Sequence, residues 1–235
     1  MKLDLLAALN EECAARRATV LITEIASGQQ RLVREKDIPA DPLRHRLQEH
    51  LTLRTSGLIE EGDKQFFLDV HVPPVKLLVI GAVHVSQALA PMAAGLDLMV
   101  TIIDPRTAFA SPERFPGVAL LAEWPDEVMR RIRLDRNTAV LTLTHDPKID
   151  DRALAEALRS DCFYIGALGS RKSHAQRLER LRATGFGEDD LVRIHGPVGL
   201  NIGAVSPGEI AISILAEIIS LLRQDRRQAR KATEG

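Results

Sequence analysis

The N-terminal third of the chain mixes short apolar and polar stretches, which is typical of a small α+β unit. Apolar residues recur at helical spacing over residues 3–17 and predict a helix. Residues 19–25 are rich in β-forming side chains and predict a strand. Pro39 and Pro42 predict the start of a further helix, which ends near Leu53.

The remainder of the chain alternates between apolar runs and helical patterns. The run over residues 75–80 is almost entirely apolar and ends at Gly81. Further strands are predicted over residues 98–103, 139–143 and 162–165, with helices between them. Continuous apolar runs are typical of parallel strands that are buried on both faces. The alternation therefore predicts an α/β fold with a Rossmann-like, doubly wound parallel sheet.

A stiff break separates these two regions. Pro73 and Pro74 follow each other directly, and proline pairs interrupt both helices and strands. We therefore predict a small N-terminal α+β domain over residues 1–73 and a Rossmann-like domain over residues 74–235.

The last helix is the best-defined single element. Ser206 and Glu209 stand at the spacing of a capping box, and Pro207 occupies the first helical position. Apolar residues then follow in one wide stripe as far as Leu222, which predicts a helix that packs on the sheet.

Charge and composition narrow the function classes. The net charge is -1 and aromatic residues make up 3% of the chain, so neither a basic field nor a base-stacking platform for nucleic acid is expected. Cys13 and Cys162 stand alone, which argues against a disulfide framework. The N-terminus lacks a signal-peptide pattern, and no stretch reaches about 18 apolar residues. We expect a cytoplasmic protein without a membrane or nucleic-acid partner.

Polar residues follow the predicted strands, whose carboxyl ends meet at one edge of a parallel sheet. Gly81, Ala82 and His84 come after the first strand, where a glycine turn leading into a helix presents N–H groups to an anion. Asp104 ends the next strand, at the spacing of the ribose-binding acid in Rossmann proteins. The alternative is that Gly81 only makes a tight turn.

The dinucleotide fingerprint at this turn is incomplete. Val83 and Ser86 occupy the positions of its second and third glycines. Val83 carries a side chain where a pyrophosphate must approach the backbone closely. We therefore expect weak or no binding of NAD(P).

A second polar cluster follows residues 139–143. His145 and Asp146 are candidates for acid–base or ligand contacts, whereas Asp150 and Asp151 are predicted to cap the next helix. The spacing of these side chains is not that of a dedicated metal site, so no metal is expected.

A third cluster opens the helix after residues 162–165. Gly169, Ser170 and Arg171 combine a glycine turn, a hydroxyl and a guanidinium, which together suit a phosphate. The alternative is a capped helix with exposed cations.

A fourth cluster is the glycine-rich loop over residues 195–204. It contains Gly199 and Asn201 and is either a wall of the binding pocket or a tight connector. No serine or cysteine in the chain stands in a nucleophile elbow, and a Walker A sequence is absent. No catalytic residue is assigned.

Taken together, the clusters resemble the C-terminal domain of the XdhC/CoxI family. The resemblance runs in unbroken order over residues 74–223. It is carried by Gly81–Val85, Asp104–Arg106, Arg114–Pro116, Thr144–Asp146, Gly166–Arg171, Gly196–Ala204 and Pro207–Ala211. An ordered set of this kind is more specific than any of its members.

Members of that family are accessory proteins of molybdenum hydroxylases such as xanthine dehydrogenase. The resemblance implies a non-catalytic protein that binds the molybdenum cofactor, as molybdopterin or its dinucleotide form. It also implies assistance in sulfuration and delivery to an apo molybdenum hydroxylase, with a cysteine desulfurase as a further partner and a homodimer as a compatible assembly. The cofactor-binding residues that it implies are Gly81, Ala82, His84, Asp104, Arg106, His145, Asp146, Gly169, Ser170, Arg171, Gly199 and Asn201.

Two other function classes stay open beside the carrier. One is an oxidoreductase that uses NAD(P) or FAD, and the other is a protein-binding scaffold that has lost its ligand. Val83 counts against the first, and the polar strand ends count against the second. Val83 and Asn201 also depart from the glycine and aspartate that are common in the family. A cofactor carrier is the preferred hypothesis.

Overall fold

The computed structural model describes residues 2–223, which form two compact units. The first contains residues 2–73 together with Arg223, and the second is Pro74–Leu222. Residues 224–235, which close the predicted second domain, lie outside the described residues.

The first unit is a four-stranded antiparallel sheet with two α-helices. Its strands lie in the order β2-β1-β4-β3, and Val20, Ile22 and Leu68 from the sheet pack against Leu47 in a buried core. Its elements are α1 (Leu3–Ala14), β1 (Thr19–Glu24), β2 (Gln30–Arg34), a 3-10 helix (Glu35–Ala40), α2 (Arg44–Leu53), β3 (Gly57–Glu61) and β4 (Lys64–His71).

The start of α2 differs from the prediction. Pro39 lies inside the 3-10 helix, and α2 begins only at Arg44. Between them the carboxylate of Asp41 accepts the Leu43 N–H at 2.9 Å. A side chain that bonds the backbone two residues further on forms a turn, and this turn separates the two helices.

The second unit is a six-stranded sheet in which every pairing is parallel. Its elements are β5 (Lys76–Ile80), α3 (His84–Ala94), β6 (Met99–Ile103), β7 (Ala119–Leu121), α4 (Pro125–Arg131), β8 (Thr138–Thr142), α5 (Pro147–Leu158), β9 (Tyr164–Ala167), α6 (Arg171–Ala183), α7 (Glu188–Leu191), β10 (Ile194–His195) and α8 (Pro207–Leu222).

The strands lie in the order β7-β6-β5-β8-β9-β10. Counted from β5, this is the order 3-2-1-4-5-6 of Rossmann sheets, with the reversal between β5 and β8. The predicted α/β class and doubly wound sheet are thereby confirmed. The two edge strands were not predicted, because β7 has three residues and β10 has two. Such short strands show no periodicity.

Both faces of this sheet are covered, which explains the continuous apolar runs. Leu77 and Val79 pack with α3 and α8 on one face, whereas Leu78 and Ile80 pack with α4 and α5 on the other. All four side chains are buried. The predicted capping box of α8 is present, since Ser206 Oγ accepts the Glu209 N–H at 3.3 Å and Glu209 accepts the Ser206 N–H at 2.9 Å.

Candidate functional site

The polar strand ends lie along one edge of the sheet, because its strands are parallel. Gly81 follows β5, Asp104 follows β6, His145 comes three residues after β8, and Gly169 comes two residues after β9. Neighbouring ends are joined by backbone bonds, such as Leu168 N–H to the Thr142 carbonyl at 2.9 Å. The candidate residues therefore share an edge, and their contacts decide what each one can do.

Gly81 makes room for the protein's own chain. Its φ of 117° belongs to the region that favours glycine. A Cβ added there would lie 2.9 Å from Thr144 Cγ2 and 3.2 Å from the Thr144 N. The close approach that glycine permits is thus made by the loop after β8.

Asp104 holds the turn after β5 in place. Its carboxylate is fully buried and accepts the Ala82 N–H at 2.8 Å, and it also accepts hydrogen bonds from the backbone N–H and guanidinium of Arg106 at 2.8–3.0 Å. Burial favours the neutral acid, but these bonds outweigh it and lower the pKa of Asp104 below its usual value. Ala82, which is buried too, is fixed by this contact.

The first turn of α3 is also hydrogen-bonded by a side chain of the protein itself. Ser86 is buried, and its Oγ accepts the Val83 N–H at 2.8 Å while lying 2.7 Å from the Gly81 carbonyl oxygen. The side chain of Val83 packs against the hydrophobic core. His84 is exposed at the first position of the helix. Two backbone N–H groups that a phosphate would use are therefore engaged within the protein.

The prediction that Asp150 and Asp151 cap the helix after β8 was wrong. Helix α5 begins at Pro147, and its cap is Asp146, which accepts the Lys148 N–H at 2.9 Å. Asp150 is buried one turn into the helix and accepts Thr144 Oγ1 at 2.7 Å and the His145 N–H at 3.1 Å. Burial raises the pKa of Asp150 against these hydrogen bonds.

Asp151, the other predicted cap, instead pairs with Arg180 of α6 at 2.5 Å. The side chain of His145 is exposed, and its backbone has a φ of 63°. His145 therefore lies on the surface at the edge of the sheet, held there through its backbone.

Arg114 was not among the predicted site residues, although it shapes the same turn. Its guanidinium donates to the Ala82 carbonyl at 2.9 Å, to the Phe109 carbonyl at 2.8 Å and to Gln87 Oε1 at 2.9 Å. The Arg-Phe-Pro motif could have pointed to it. Arg114 ties the loop after β6 to the turn after β5.

The turn before α6 combines a cap with exposed positive charge. Ser170 Oγ accepts the Ser173 N–H at 3.1 Å, which makes it the helix cap. Gly169 has a φ of 143°, in the region that favours glycine. Arg171 is exposed and has no ion pair within the described residues. Its guanidinium is therefore free to meet a ligand.

A second cation lies beneath this turn. Arg177 of α6 is 4% exposed and donates to the Leu168 carbonyl at 2.8 Å. Burial lowers its pKa. The sequence gives no sign of this buried charge, because Arg177 belongs to a helix with few apolar residues. It adds positive potential behind Gly169.

A cleft of about 370 Å³ opens beside Arg171. Three predicted site residues line it, namely Arg171, Gly199 and Asn201. Its other walls come from Leu168, residues 197–204 and the side chains of Ile210 and Ser213 on α8. Gly81, Asp104 and His145 are not among its lining residues. The predicted set thus divides into residues that build the edge and residues that line this cleft.

The loop that forms the cleft wall is anchored at its base. Glu217 of α8 accepts the Gly199 N–H at 2.9 Å and the hydroxyl of Tyr164, and the ring of Tyr164 stacks on His195 at a centroid distance of 4.9 Å. Burial, followed by the contact with Glu217, raises the pKa of Tyr164. The loop lines this cleft, and its role as a wall of a binding pocket stays a prediction.

The described residues contain neither a cluster of metal ligands nor a membrane-spanning helix. No group of three or more metal-ligating side chains occurs among residues 2–223. Over the same residues, none of the helices has the length and apolar character to cross a bilayer.

The strand order and the crossover connections define the second unit as a Rossmann-type domain. Residues 77–218 match the family model described as the XdhC Rossmann domain. The match covers more than half of the chain, and the chain belongs to the XdhC family.

Three curated relatives match the chain at 31–35% identity. They are the uncharacterized protein YqeB of Escherichia coli K12 (35% identical, covering 68% of this chain and 30% of that protein), a probable xanthine dehydrogenase subunit from Bacillus subtilis 168 (32%, covering 63% and 43%) and the molybdenum cofactor insertion chaperone PaoD of Escherichia coli K12 (31%, covering 63% and 41%). The chain thus spans less than half the length of each of them.

A solved structure of similar fold is among those that match. The crystal structure of a xanthine dehydrogenase from Bacillus halodurans aligns with a TM-score of 0.66, covering 95% of this chain and 66% of that one. At 23% identity this likeness concerns the fold.

Proposed function

We propose that this protein binds the molybdenum cofactor and helps to insert it into a molybdenum hydroxylase of the xanthine dehydrogenase type. The observation that carries the proposal is the exposed Arg171 at a helix start beside the cleft of about 370 Å³. Membership of the XdhC family and the likeness to the insertion chaperone PaoD support it. The cofactor, as molybdopterin or its dinucleotide form, is the cargo of this site.

The chemistry of the site fits such a cargo. The cofactor ends in a phosphate, and a guanidinium can hold two phosphate oxygens at once. The helix start at Arg171 adds a favourable dipole, and Arg177 adds buried positive charge. The proposal extends to assistance in sulfuration with a cysteine desulfurase, to action in the cytoplasm and to a homodimeric assembly.

An oxidoreductase that uses NAD(P) or FAD is the alternative. The contacts at the turn after β5 count against it, because Asp104 is buried and bonded to Arg106. A ribose-binding acid has to offer its carboxylate to the ligand. The Val83 N–H, which a pyrophosphate would need, is also engaged by Ser86 Oγ at 2.8 Å.

The test is a side-by-side titration of the purified protein with molybdenum cofactor and with NAD(P). We expect cofactor binding and weak or no NAD(P) binding. Arg171→Ala should weaken cofactor binding by about ten- to a hundredfold, because a charge-assisted contact is worth roughly 1.5–3 kcal/mol. Arg171→Lys should recover only part of this, since an ammonium cannot contact two oxygens in a fork.

Lys172→Ala is the matched control. It removes one exposed cation at the next position, but Lys172 does not line the cleft. It should therefore change binding little. Equal losses for both variants would mean that general charge, and not the Arg171 contact, holds the cofactor. Micromolar binding of NAD(P) would favour the oxidoreductase.

A further inference from the structure

We infer that the ring system of the ligand binds in the cleft beside α8, and that the nucleotide crevice between β5 and β8 does not take it. The inference rests on the proposed function and specifies where its ligand lies. It predicts a flat, hydrogen-bonding heterocycle with one anionic substituent.

Three backbone N–H groups at the strand-order reversal are engaged within the protein. The Gly81 N–H donates to the Ile103 carbonyl at 2.9 Å, the Ala82 N–H to Asp104 and the Val83 N–H to Ser86. The space that glycine leaves at Gly81 is taken by Thr144. A ligand phosphate would have to break these contacts before it could bind these three N–H groups.

The cleft beside α8, in contrast, presents backbone N–H groups that are not engaged. The N–H groups of Asn201, Gly203 and Ala204 have no acceptor within the described residues. The next two N–H groups along the chain, of Val205 and Ser206, are both accepted by Glu209. Three donors in one short segment are therefore left for a ligand that carries acceptors along its edge.

The walls of the cleft suit an uncharged ring. Leu168, Val198, Ile202 and Ile210 supply apolar surface, and Arg171 is the one charged residue among the described residues that line it. A volume of about 370 Å³ is at the small end of ligand pockets. The cleft therefore accepts a bicyclic or tricyclic heterocycle with its anionic group at Arg171. A pterin has this chemistry.

The loop is held in the shape that this cleft needs. Gly199 has a φ of 92°, and a Cβ there would lie 2.4 Å from Ser213 Oγ. Gly166 lies under Val198, since a Cβ on it would be 2.6 Å from Val198 Cγ2. Loop 197–199 is thus fixed against both α8 and β9 before any ligand arrives.

The experiment uses pterin-6-carboxylate as a fluorescent probe and NADH as a probe of the nucleotide crevice. Ala204→Phe places a ring in the cleft, and Ala183→Phe makes the same change at an exposed position at the end of α6. We expect the full chain to bind the pterin and to bind NADH weakly or not at all. Ala204→Phe should weaken pterin binding by at least about tenfold, whereas Ala183→Phe should leave it unchanged.

Ile202→Ala protects the test against misfolding of Ala204→Phe. Ile202 is 54% exposed, so its truncation should leave folding intact while it removes apolar wall. We expect a severalfold loss of pterin affinity. No pterin binding by the full chain, or unchanged binding in both cleft variants, overturns the inference. If molybdenum cofactor still binds and both cleft variants leave that binding unchanged, the inference fails while the proposed function stands; if the full chain binds no cofactor, the proposed function fails.

Discussion

The hydroxyl of Tyr164 in β9 donates a hydrogen bond to the carboxylate of Glu217 in α8, across 53 residues of sequence. The same carboxylate oxygen accepts the Gly199 N–H, and its other oxygen lies 3.4 Å from His195 Nδ1. One side chain of the last helix therefore fixes the sheet and the cleft loop together.

Glu217→Ala should destabilise the protein more than Tyr164→Phe. Removal of the carboxylate leaves the buried Tyr164 hydroxyl and the Gly199 N–H without an acceptor, at about 1–3 kcal/mol for each buried group. Tyr164→Phe loses one bond and should cost about 0.5–1.5 kcal/mol. Urea unfolding of the two variants measures the difference. In hydrogen exchange, the Gly199 amide should lose protection in Glu217→Ala alone; equal exchange in both variants would show that Glu217 does not hold the loop.

Gly199→Ala should destabilise the protein more than Gly203→Ala. Both glycines have a positive φ, so each alanine carries a backbone cost of roughly 1–2 kcal/mol. At Gly203 no atom lies within 4 Å of the added Cβ, whereas at Gly199 the new carbon meets Ser213 Oγ at 2.4 Å. Thermal unfolding compares the pair.

The double variant Gly199→Ala/Ser213→Ala checks the steric part of that cost. Ser213→Ala removes the contacting oxygen and should recover some of the lost stability. Identical melting temperatures for Gly199→Ala and Gly203→Ala would contradict the clash.

Asp104→Ala should cost more stability than the loss of an exposed ion pair. The variant leaves the buried Ala82 N–H without its acceptor, at about 1–3 kcal/mol for such a group, and it also removes the partner of the partly exposed Arg106 guanidinium. Glu123→Ala breaks the exposed pair of Glu123 with Arg131 and should cost at most about 1 kcal/mol. Chemical denaturation measures the free energy of unfolding of both variants. A small loss for Asp104→Ala would contradict the structural role and leave a ligand role for Asp104.

Glu12 in the first unit should titrate unusually low. Hydrogen bonds from Arg17 and Arg34 lower its pKa from 4.5 to about 2, against the effect of burial. Because the folded-state pKa is depressed, the stability that Glu12 contributes is fully present above pH 4.5 and is lost as the pH falls through about 2. Carboxyl carbon NMR should find the low pKa directly.

Glu12→Gln supplies the control for that pH dependence. The stability difference between the native chain and this variant should be constant above about pH 5 and shrink below pH 4.5. A difference that does not change down to pH 2 would show that the ion pairs with Arg17 and Arg34 contribute nothing.

The sequence predicts local structure well where neighbours along the chain decide it. The capping box of Ser206 and Glu209 needs only the spacing of two residues, and it is present. Asp146 before Pro147 is also a local helix start, whereas the predicted caps were Asp150 and Asp151. Several acids in one segment compete for the cap, and composition alone does not choose between them.

Contacts between distant elements were beyond prediction. The hydrogen bond between Tyr164 and Glu217 depends on how α8 lies on the sheet, and no sequence pattern in either segment predicts it. The position of Asp104 after its strand was predicted correctly. The hydrogen bonds that its carboxylate accepts from Arg106, however, depend on the path of the loop. The sequence predicts which residues lie at this edge of the sheet. Only the three-dimensional structure shows which of their backbone N–H groups already have an acceptor.

The strand β10 consists of Ile194 and His195 and ends the second sheet on one side. An unpaired edge is the place where another chain can add a strand and begin aggregation. Two residues give an incoming chain very little backbone to pair with, and β7 gives only three at the opposite edge. The central strands pair over more residues than the two edge strands do. Short edge strands of this kind disfavour edge-to-edge association between copies of this apolar sheet.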